Sequence, residues 1–324
     1  MRRRFLAGTA LVLLAGLGYG VFGLSQPVLG SARATGAPQA DAAALEAVVR
    51  HLASEFGARS FDNAPALDGA AAYIERAWVA QGHRVERQAY TVDGRVFSNL
   101  IVRLGPDTPD VLVVGAHYDV AGAQPGADDN ASGVAGLIEL TRLLRSRTLR
   151  QRVELVAYST EEPPYFRTAN MGSAEHARSL VAAGKRVPLM LSLECIGYFS
   201  DAAGSQDYPI GALRLLYPSA GNFIGIVGAW KDGGTARAVK RAMAAASPLP
   251  VHSISAPGFV VGVDFSDHLS YANEGFPAMM VTDTAFYRNK AYHTPDDTPE
   301  RLDYRRMAQV VDGVQAAVLA VAAD

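Results

Sequence analysis

The sequence is poor in cysteine and has no strong excess of either charge. Its one cysteine, Cys195, excludes an internal disulfide and a cysteine-based zinc site, so a metal would have to be held by histidine and carboxylate groups. The net charge of −2 supplies neither a basic field for nucleic acid nor an acidic tail typical of disorder. What is present is a chain of 324 residues, 49% of them hydrophobic, which fits one large domain with a large core.

The N-terminus has the composition of an export signal. Three arginines, Arg2–Arg4, precede an uncharged run of twenty residues, Phe5–Leu24, whose length lies between a signal peptide and a membrane span. The paired arginines resemble a twin-arginine signal, and Ala32–Ala34 offers a cleavage site. We therefore expect an exported protein that is periplasmic, extracellular or membrane-anchored. The predicted division is an export signal or membrane anchor, a linker of small residues and one large domain, at residues 1–24, 25–40 and 41–324.

Helix-period and strand-like runs alternate along this large domain. The valine-rich run at 111–119 is typical of a strand buried on both faces. Two strand-like runs at 84–92 and 96–104 flank Asp93-Gly94, a pair typical of a hairpin turn. The alternation predicts an α/β fold, a three-layer sandwich with helices flanking a mixed, mostly parallel central sheet and a hairpin near one edge.

Acidic and imidazole side chains follow the predicted strands where the strands end. Ligands of such sheets bind beyond the carboxyl ends of the strands, so we expect these groups to gather at one rim. They are His117, Asp119, Asp128, Asp129, Glu161, Glu162, Glu194 and Asp283.

Carboxylates this crowded cannot all stay ionised without compensation, and no lysine or arginine lies within these motifs. Two Zn²⁺ ions would bring four positive charges. Asp129, Glu162 and Glu194 would bring three negative charges and a bound hydroxide a fourth, with the histidines neutral. The pattern therefore predicts a two-zinc site.

Each motif also has an ordinary structural interpretation. His117 can bind a metal while Asp119 accepts a hydrogen bond from its other ring nitrogen, or it can be a core histidine beside a capping aspartate. Asp129 lies among small residues that would let the backbone approach the ions, and it can bridge two metals or begin a helix. Glu161 and Glu162 point in different directions on extended backbone, so one can bind metal while the other acts as a base, or both can form a solvated turn.

Three further segments leave alternatives open. His293 can be a ligand or a loop residue, and Asp296 and Asp297 after it can be turn formers. Asp267 in the FSDH segment can cap a short helix or support the site. Arg167 can bind a substrate carboxylate or serve a structural role.

Taken in order and spacing, the segments HYD, GADDNASG, TEEPPYF, SLECIGY and YHTPDDT resemble the M28 family of zinc peptidases, which contains bacterial leucyl aminopeptidases, across roughly residues 40–324. The resemblance implies a zinc-exopeptidase-like fold with one ion held by His117, Asp129 and Glu194. It implies a second ion held by Asp129, Glu162 and His293. Glu161 would be the general base, and Asp119 is the second predicted catalytic residue. The chain departs from the leucyl aminopeptidase pattern at Glu194, where those members usually have aspartate.

The predicted function is hydrolysis of terminal peptide bonds by a two-zinc exopeptidase, foremost an aminopeptidase, in which Glu161 activates a water that bridges the metals. One alternative is a single-zinc glutaminyl cyclase on the same fold, against which the presence of His117 argues. Another is a non-catalytic binding domain. The predicted partner is a peptide, with no nucleic acid and with membrane contact only through the N-terminal segment. The oligomeric state stays open.

Overall fold

The structure is a computed structural model that describes residues 16, 18, 20–28 and 37–322. Most of the predicted export segment and half of the predicted linker lie outside these residues, so both assignments stay predictions. Within the described ranges, every helix is too short or too polar to cross a membrane. All the motifs that carry chemistry fall inside residues 37–322.

One mixed sheet forms the centre of the domain. Its strands in the described residues are β1 (Val85–Val92), β2 (Arg95–Leu104), β3 (Val111–His117), β4 (Arg152–Tyr158), β5 (Met190–Glu194), β6 (Ile224–Ala229), β7 (Val251–Ala256) and β8 (Ala278–Thr282). Their order is β1-β2-β4-β3-β5-β8-β6-β7. The pairs β3–β4, β3–β5, β5–β8 and β6–β7 are parallel, whereas β1–β2, β2–β4 and β6–β8 are antiparallel. This confirms the predicted sheet. The antiparallel β6–β8 pair was not predicted, because strands distant in sequence carry no local signal of their relative direction.

Helices cover both faces of the sheet and complete the three layers. They are α1 (Ala42–Glu55), α2 (Ala64–Ala80), α3 (Gly133–Leu144), α4 (Gly172–Ala182), α5 (Gly233–Ala246), α6 (His268–Asn273) and α7 (Tyr304–Ala322). Along β3, Leu112 and Val114 join the larger core, and Val111 and Val113 join the smaller one. The smaller core lies beneath α4 and α6, and the larger lies beneath the other helices. This alternation explains why β3 is apolar up to its last residue, His117, since both of its faces are buried.

The predicted hairpin forms at the β1 edge of the sheet. Asp93 and Gly94 connect β1 to β2, and both have left-handed backbone, with φ of 51° and 79°. Positive φ at both central residues matches the right-handed twist of a strand pair. The Asp-Gly pair therefore sets the register in which Val92 faces Arg95.

A buried polar network crosses the smaller core. The carboxylate of Glu154 on β4 accepts hydrogen bonds from Arg103 Nε at 2.7 Å and His176 Nε2 at 3.0 Å. Burial raises the pKa of the Glu154 carboxyl, but the hydrogen bonds and charges of His176 and Arg103 outweigh it and lower the pKa to about 2. The ionised carboxylate is therefore the form that the fold stabilises.

Replacing Glu154 with glutamine is expected to lower the free energy of unfolding at pH 7 by about 3 kcal/mol. Because the folded pKa lies below the unfolded pKa, this stability is fully present above pH ~4.5 and is lost as the pH falls toward 2. Urea unfolding at a series of pH values measures the difference, which should vanish at the acid end.

Glu86→Gln is the matched control, because Glu86 contacts the same Arg103 but its side chain is 52% exposed. An exposed pair contributes only about 0–1 kcal/mol. Equal losses in the two variants would contradict the assignment of this stability to the buried carboxylate.

Candidate metal centre

The candidate site forms where several strands end at one rim of the sheet, as predicted. His117 is the last residue of β3, and Glu194 is the last residue of β5. Glu161 and Glu162 follow β4, and Asp129 lies in the turn before α3. The fold thus brings residues from distant parts of the chain together beyond the carboxyl ends of parallel strands.

Asp129 presents one carboxylate oxygen to each of two groups of side chains. On one side, His117 Nε2 lies 3.3 Å from Asp129 Oδ1 and 3.2 Å from Glu194 Oε2. On the other side, His293 Nε2 lies 2.9 Å from Asp129 Oδ2 and 3.3 Å from Glu162 Oε1. These two groups are the ligand sets that the sequence predicted. A third combination, His117, Glu161 and Glu162, also has donor atoms within 4.8 Å of one another.

The donor chemistry of the site fits a metal. Within the described residues, His117 Nε2, Asp129 Oδ2 and Glu162 Oε1 are buried atoms without a hydrogen-bond partner. Buried polar atoms are almost always hydrogen-bonded, so three such atoms that converge require an explanation. Imidazole nitrogen and carboxylate oxygen are the ligands that zinc takes when no cysteine is available. A cation held between these atoms would satisfy all three.

The electrostatics of the protein groups point the same way. Burial lowers the pKa of His293, but the adjacent carboxylates of Asp129 and Glu162 outweigh it and raise the pKa to about 10. Burial and the charge of Asp129 raise the pKa of Glu162 to about 7. Burial and the neighbouring carboxylates raise the pKa of Glu161 well above its usual value. The protein groups therefore bind protons to offset their negative charge, a role that divalent cations can take over.

Asp119 holds the loop that carries the two glutamates. Its carboxylate accepts hydrogen bonds from the backbone N–H of Glu161 at 3.2 Å and of Glu162 at 3.1 Å. His117 Nδ1 lies 3.5 Å from the Asp119 carboxylate and 3.2 Å from the Asp119 carbonyl oxygen. The hydrogen bond of the imidazole therefore involves the Asp119 carbonyl oxygen, whereas the carboxylate was predicted to accept it. The carboxylate binds the backbone of residues 161 and 162, a role that the sequence did not reveal. Glu161 then points toward His117 and Glu162 toward His293.

The turn before α3 excludes one of the two roles left open for Asp129, that of beginning the helix. Residues Ala127–Ser132 form a π-type turn in which Asp129 and Asn130 have non-helical backbone, and α3 begins at Gly133. The Asn130 side chain donates to Leu193 O at 2.8 Å and accepts from the Cys195 backbone N–H at 3.2 Å. Asn130 therefore ties this turn to the end of β5 and leaves Asp129 free to face the histidines.

The structure explains why the last residue of the GADDNASG segment, Gly133, is a glycine. A Cβ atom at position 133 would lie 2.5 Å from the Leu193 carbonyl oxygen and 2.4 Å from Asn130 Oδ1. The prediction from the sequence was that these small residues let the backbone approach the ions closely. At Gly133 the close approach is instead to the end of β5.

Two residues near the site were not recognised from the sequence. Asp297, predicted only as a turn former, accepts hydrogen bonds from the backbone N–H of Asp128 at 3.0 Å and Asp129 at 3.1 Å. Arg59 is fully buried and donates to Tyr118 O, Pro125 O and Gly126 O at 2.7–2.8 Å. Burial lowers the pKa of Arg59 to about 10, so it stays positive near the carboxylates at neutral pH. Asp297 lies within the YHTPDDT motif, so the sequence did draw attention to it, whereas Arg59 lies in no motif.

Glu194, at the position where leucyl aminopeptidases usually have aspartate, is held in place by hydrogen bonds from two neighbouring side chains. Its Oε2 accepts a hydrogen bond from Ser266 Oγ at 2.8 Å, and its Oε1 accepts one from Cys195 Sγ at 3.2 Å. Ser266 belongs to the FSDH segment, and its neighbour Asp267 is fully buried and makes no capping hydrogen bond to α6. Of the two interpretations of this segment, the contacts favour support of the site.

A cavity of about 220 Å³ opens onto the centre. Its walls are Glu161, Glu162, Pro163, Phe166, Glu194, Phe265, Phe286, Tyr292 and His293. Within the described residues this lining contains three carboxylates and no lysine or arginine. Arg167 instead pairs with Asp264 at 2.6 Å and lies over the Phe265 ring at 5.7 Å. One of the two predicted roles of Arg167 was to bind a substrate carboxylate. Its guanidinium instead already forms an ion pair with Asp264.

A second cavity, with mostly apolar walls, adjoins this one. The two cavities share the side chains of Glu194, Phe265, Phe286 and Tyr292. Beyond these, its walls come from β6, β7, β8 and the loops around Tyr208, Tyr217 and Val263. The candidate metal centre is therefore bordered by an acidic cavity and by a second cavity with apolar walls.

Comparisons with known proteins agree with the fold and the motifs. The family model for peptidase family M28 matches residues 99–318. The chain is 49% identical over 278 residues to the uncharacterized protein YfbL of Escherichia coli (strain K12), covering 83% of this chain and 85% of that one. Curated aminopeptidases match at lower identity, and the chain spans about half the length of several of them.

Two solved structures show the same fold. The LapA aminopeptidase of Legionella pneumophila matches with a TM-score of 0.70 at 20% identity, over 88% of this chain and 73% of that one. The glutaminyl cyclase of Fimbriiglobus ruber matches with a TM-score of 0.65 at 19% identity, over 90% of this chain and 99% of that one. These likenesses establish the architecture, and the family follows from the sequence match over more than half of the chain: the protein belongs to peptidase family M28.

Proposed function

We propose that this peptidase is a two-zinc aminopeptidase that removes residues from the N-terminus of peptides. The observation that carries the proposal is the position of Asp129, whose two oxygens face two separate groups of nitrogen and oxygen donors. His117, Asp129 and Glu194 would hold one ion. Asp129, Glu162 and His293 would hold the other. When bound, zinc supplies Lewis acidity and lowers the pKa of water to about 7.

Glu161 is the residue of this site placed to move a proton. Its Oε2 lies 3.9 Å from His117 Nε2, and Asp119 fixes its backbone through the N–H of residue 161. In the proposed reaction Glu161 accepts a proton from the attacking water and donates it to the leaving amine. Its neighbour Glu162 faces His293 instead, so the two glutamates divide the roles of base and ligand.

The charge of the cavity supports an aminopeptidase over a carboxypeptidase. A peptide N-terminus is cationic, and Glu161, the one carboxylate of this lining that holds no ion in the proposal, would attract it. A C-terminal carboxylate would need a lysine or arginine, whereas Arg167 is engaged by Asp264. The adjoining apolar cavity is placed to receive an uncharged side chain of the substrate.

Glutaminyl cyclases share the fold, so cyclisation of N-terminal glutamine is the second candidate reaction. The group formed by His117, Asp129 and Glu194 favours the hydrolase, because a single-zinc enzyme needs only one donor set. The convergence of so many buried ionisable side chains also favours catalysis over a non-catalytic binding role.

We expect the chain to hydrolyse aminoacyl substrates with a free α-amine and to leave their N-acetylated counterparts intact. Chelation should remove this activity, and Zn²⁺ should restore it, because both donor sets would again be filled. Release of the amine from free and acetylated aminoacyl anilides, measured before and after chelation, checks both points.

Formation of pyroglutamate from glutaminyl peptides without aminoacyl hydrolysis would overturn the proposal in favour of the cyclase. Cleavage of the acetylated substrates at equal rate would contradict recognition of the α-amine. Activity that survives complete removal of metal would contradict the metal-dependent mechanism.

A further inference from the structure

The second cavity lies over a part of the sheet that loops cover. Its floor includes residues of the four neighbouring strands β5, β8, β6 and β7. Its roof comes from the loops around Tyr208, Tyr217, Val263 and Phe286. Within the described part of the chain, no residue of the helices α1–α7 lies in its walls. The space that a helix would fill over these strands is therefore open to a ligand.

One row of floor residues leads from the metal centre to the edge of the sheet. Glu194 on β5 pairs with Thr282 on β8. Thr282 pairs in turn with Gly225 on β6, and Gly225 pairs with His252 on β7; all four residues line the cavity. Because neighbouring strands lie about 4.8 Å apart, Gly225 lies about 10 Å and His252 about 14 Å across the sheet from Glu194. The second cavity is therefore an elongated channel that begins at a predicted metal ligand.

Gly225 leaves the middle of this channel open. It lies within β6, and its backbone is not in the left-handed region, so its conformation suits any residue. A Cβ atom at this position would lie 3.2 Å from the Thr282 carbonyl oxygen and 3.7 Å from the methyl group of Thr284, close contacts without overlap. At Gly115, by contrast, a Cβ atom would overlap the ring of Tyr158.

Neither the backbone nor the packing therefore requires a glycine at position 225. Glycine within a strand weakens the strand and often marks a place where a ligand approaches closely. The residues nearest to the added Cβ atom, Thr282 and Thr284, both line the channel, so a side chain at position 225 would project into it. The glycine is explained by the space that it leaves in the channel.

The far end of the channel is built from aromatic rings. The ring of His252 meets those of Phe223 and Tyr217 edge to face, with centroids 4.9 and 6.0 Å apart. Tyr217 also stacks on Tyr208, with centroids 5.8 Å apart. The hydroxyl groups of both tyrosines already donate to backbone carbonyl oxygens, at 2.7 and 2.6 Å. An aromatic ligand would add one more ring to this cluster, in the stacked or edge-to-face contacts that such rings prefer.

Polar side chains along the channel are already engaged by other groups. Gln206 donates to Thr284 Oγ1 at 2.8 Å and accepts from Arg288 Nε at 2.8 Å. Asp207 forms an ion pair with Lys290 at 3.0 Å. A charged side chain of a substrate would lose its water here without gaining a partner of its own. The channel therefore favours uncharged groups.

We propose that this channel receives an aromatic side chain of the N-terminal residue of the substrate and that Gly225 determines the preference. The inference rests on the proposed aminopeptidase function, which places the scissile bond at the metal centre and the neighbouring side chain at the Glu194 end of the channel. The branched side chain of leucine ends near that point. The flat rings of phenylalanine, tyrosine and tryptophan extend further, toward Gly225 and the aromatic end.

The side-chain preference of the zinc-loaded full chain tests the substrate class. We expect kcat/KM to rise from alanyl to leucyl to phenylalanyl and tryptophanyl anilides. The aromatic substrates should exceed the leucyl substrate by about 10-fold or more, since each well-packed apolar increment in a pocket contributes a factor of this size. A leucyl anilide that is cleaved faster than both aromatic anilides would overturn the proposal.

Substitutions at position 225 test the channel itself. Gly225→Ala and Gly225→Val should lower the ratio of kcat/KM for phenylalanyl over alanyl anilide in two steps, by about 100-fold in the valine variant. This ratio does not depend on the amount of folded protein. Gly228→Ala is the matched control, because a Cβ atom there also has a 3.2 Å contact on the same strand but lies outside the channel. A ratio that is unchanged in both Gly225 variants, or that falls equally in Gly228→Ala, would exclude Gly225 as the determinant.

Binding of amino alcohols separates this inference from the proposed function, since these compounds keep the α-amine and the side chain but have no bond to hydrolyse. Calorimetry should show tighter binding of L-phenylalaninol than of L-alaninol, and Gly225→Val should weaken the former by about 10-fold or more. That result without cleavage of any anilide would support the aromatic channel and contradict only the proposed function. Equal affinities for the two alcohols, with anilides cleaved, would overturn the inference and leave the aminopeptidase proposal intact.

Discussion

Replacing Glu161 with glutamine should reduce kcat for aminoacyl hydrolysis by about 10²–10⁴-fold, while the bound metal and the fold are retained. Glutamine keeps the size of the side chain and the backbone N–H that donates to Asp119, but it cannot accept the proton from water. Steady-state kinetics combined with elemental analysis for zinc measures both sides of this expectation.

The controls for this variant use neighbouring and distant glutamates. Glu162→Gln should lose metal together with activity, because Glu162 faces His293 and Asp129 in the second donor group. Glu55→Gln, at the exposed end of α1, should behave as the unchanged protein. Loss of metal in Glu161→Gln would instead identify Glu161 as a ligand, as the third combination of donors allows. Near-normal turnover would exclude it as the base.

Replacing Asp129 with asparagine should lower the zinc content from two ions to less than one and reduce hydrolysis to background. Asp129 is the member common to both donor groups, and it is 2% exposed. Its close contacts with the imidazoles of His117 and His293 lower its pKa below the usual range despite burial, so it is anionic and ready to bind cations. Elemental analysis after dialysis against a defined zinc buffer checks the expected stoichiometry.

Variants of the unshared ligands provide the comparison for Asp129. His293→Ala and Glu194→Ala each alter one donor group, so each should weaken binding of one ion and spare the other. Asp296→Asn, on the exposed turn after His293, should leave the metal content unchanged. Retention of two ions in Asp129→Asn would contradict its role as the bridging ligand.

Motif order and strand ends predicted that five side chains would lie close together, and the fold brings them together: His117, Asp129, Glu162, Glu194 and His293. Their role as metal ligands stays a prediction, and the residues that support them were not predicted. Local patterns also predicted β3 and the Asp93-Gly94 hairpin with close boundaries. These features depend on residues that are near one another in the chain, so periodicity and turn chemistry carry them.

The remaining features depend on contacts between distant segments. Arg59 reaches the site from a loop between α1 and α2, and no pattern around it distinguishes it from a surface arginine. The hydrogen bonds from the backbone of residues 161 and 162 to Asp119 likewise form only in the folded chain. The same is true of the antiparallel pairing of β6 with β8. The non-helical backbone at Asp129 and Asn130 is set by tertiary hydrogen bonds, which override the helical tendency of the segment.

The hydrogen bonds of Asp297 have a consequence for how the centre opens. Asp297 and His293 lie on one loop, and the Asp297 carboxylate receives the backbone N–H groups of Asp128 and Asp129 on another. Neither loop can swing away without breaking bonds to the other. The two loops should therefore open together as a single cooperative unit. A fluctuation that moves the imidazole of His293 away would then also loosen the carboxylate of Asp129.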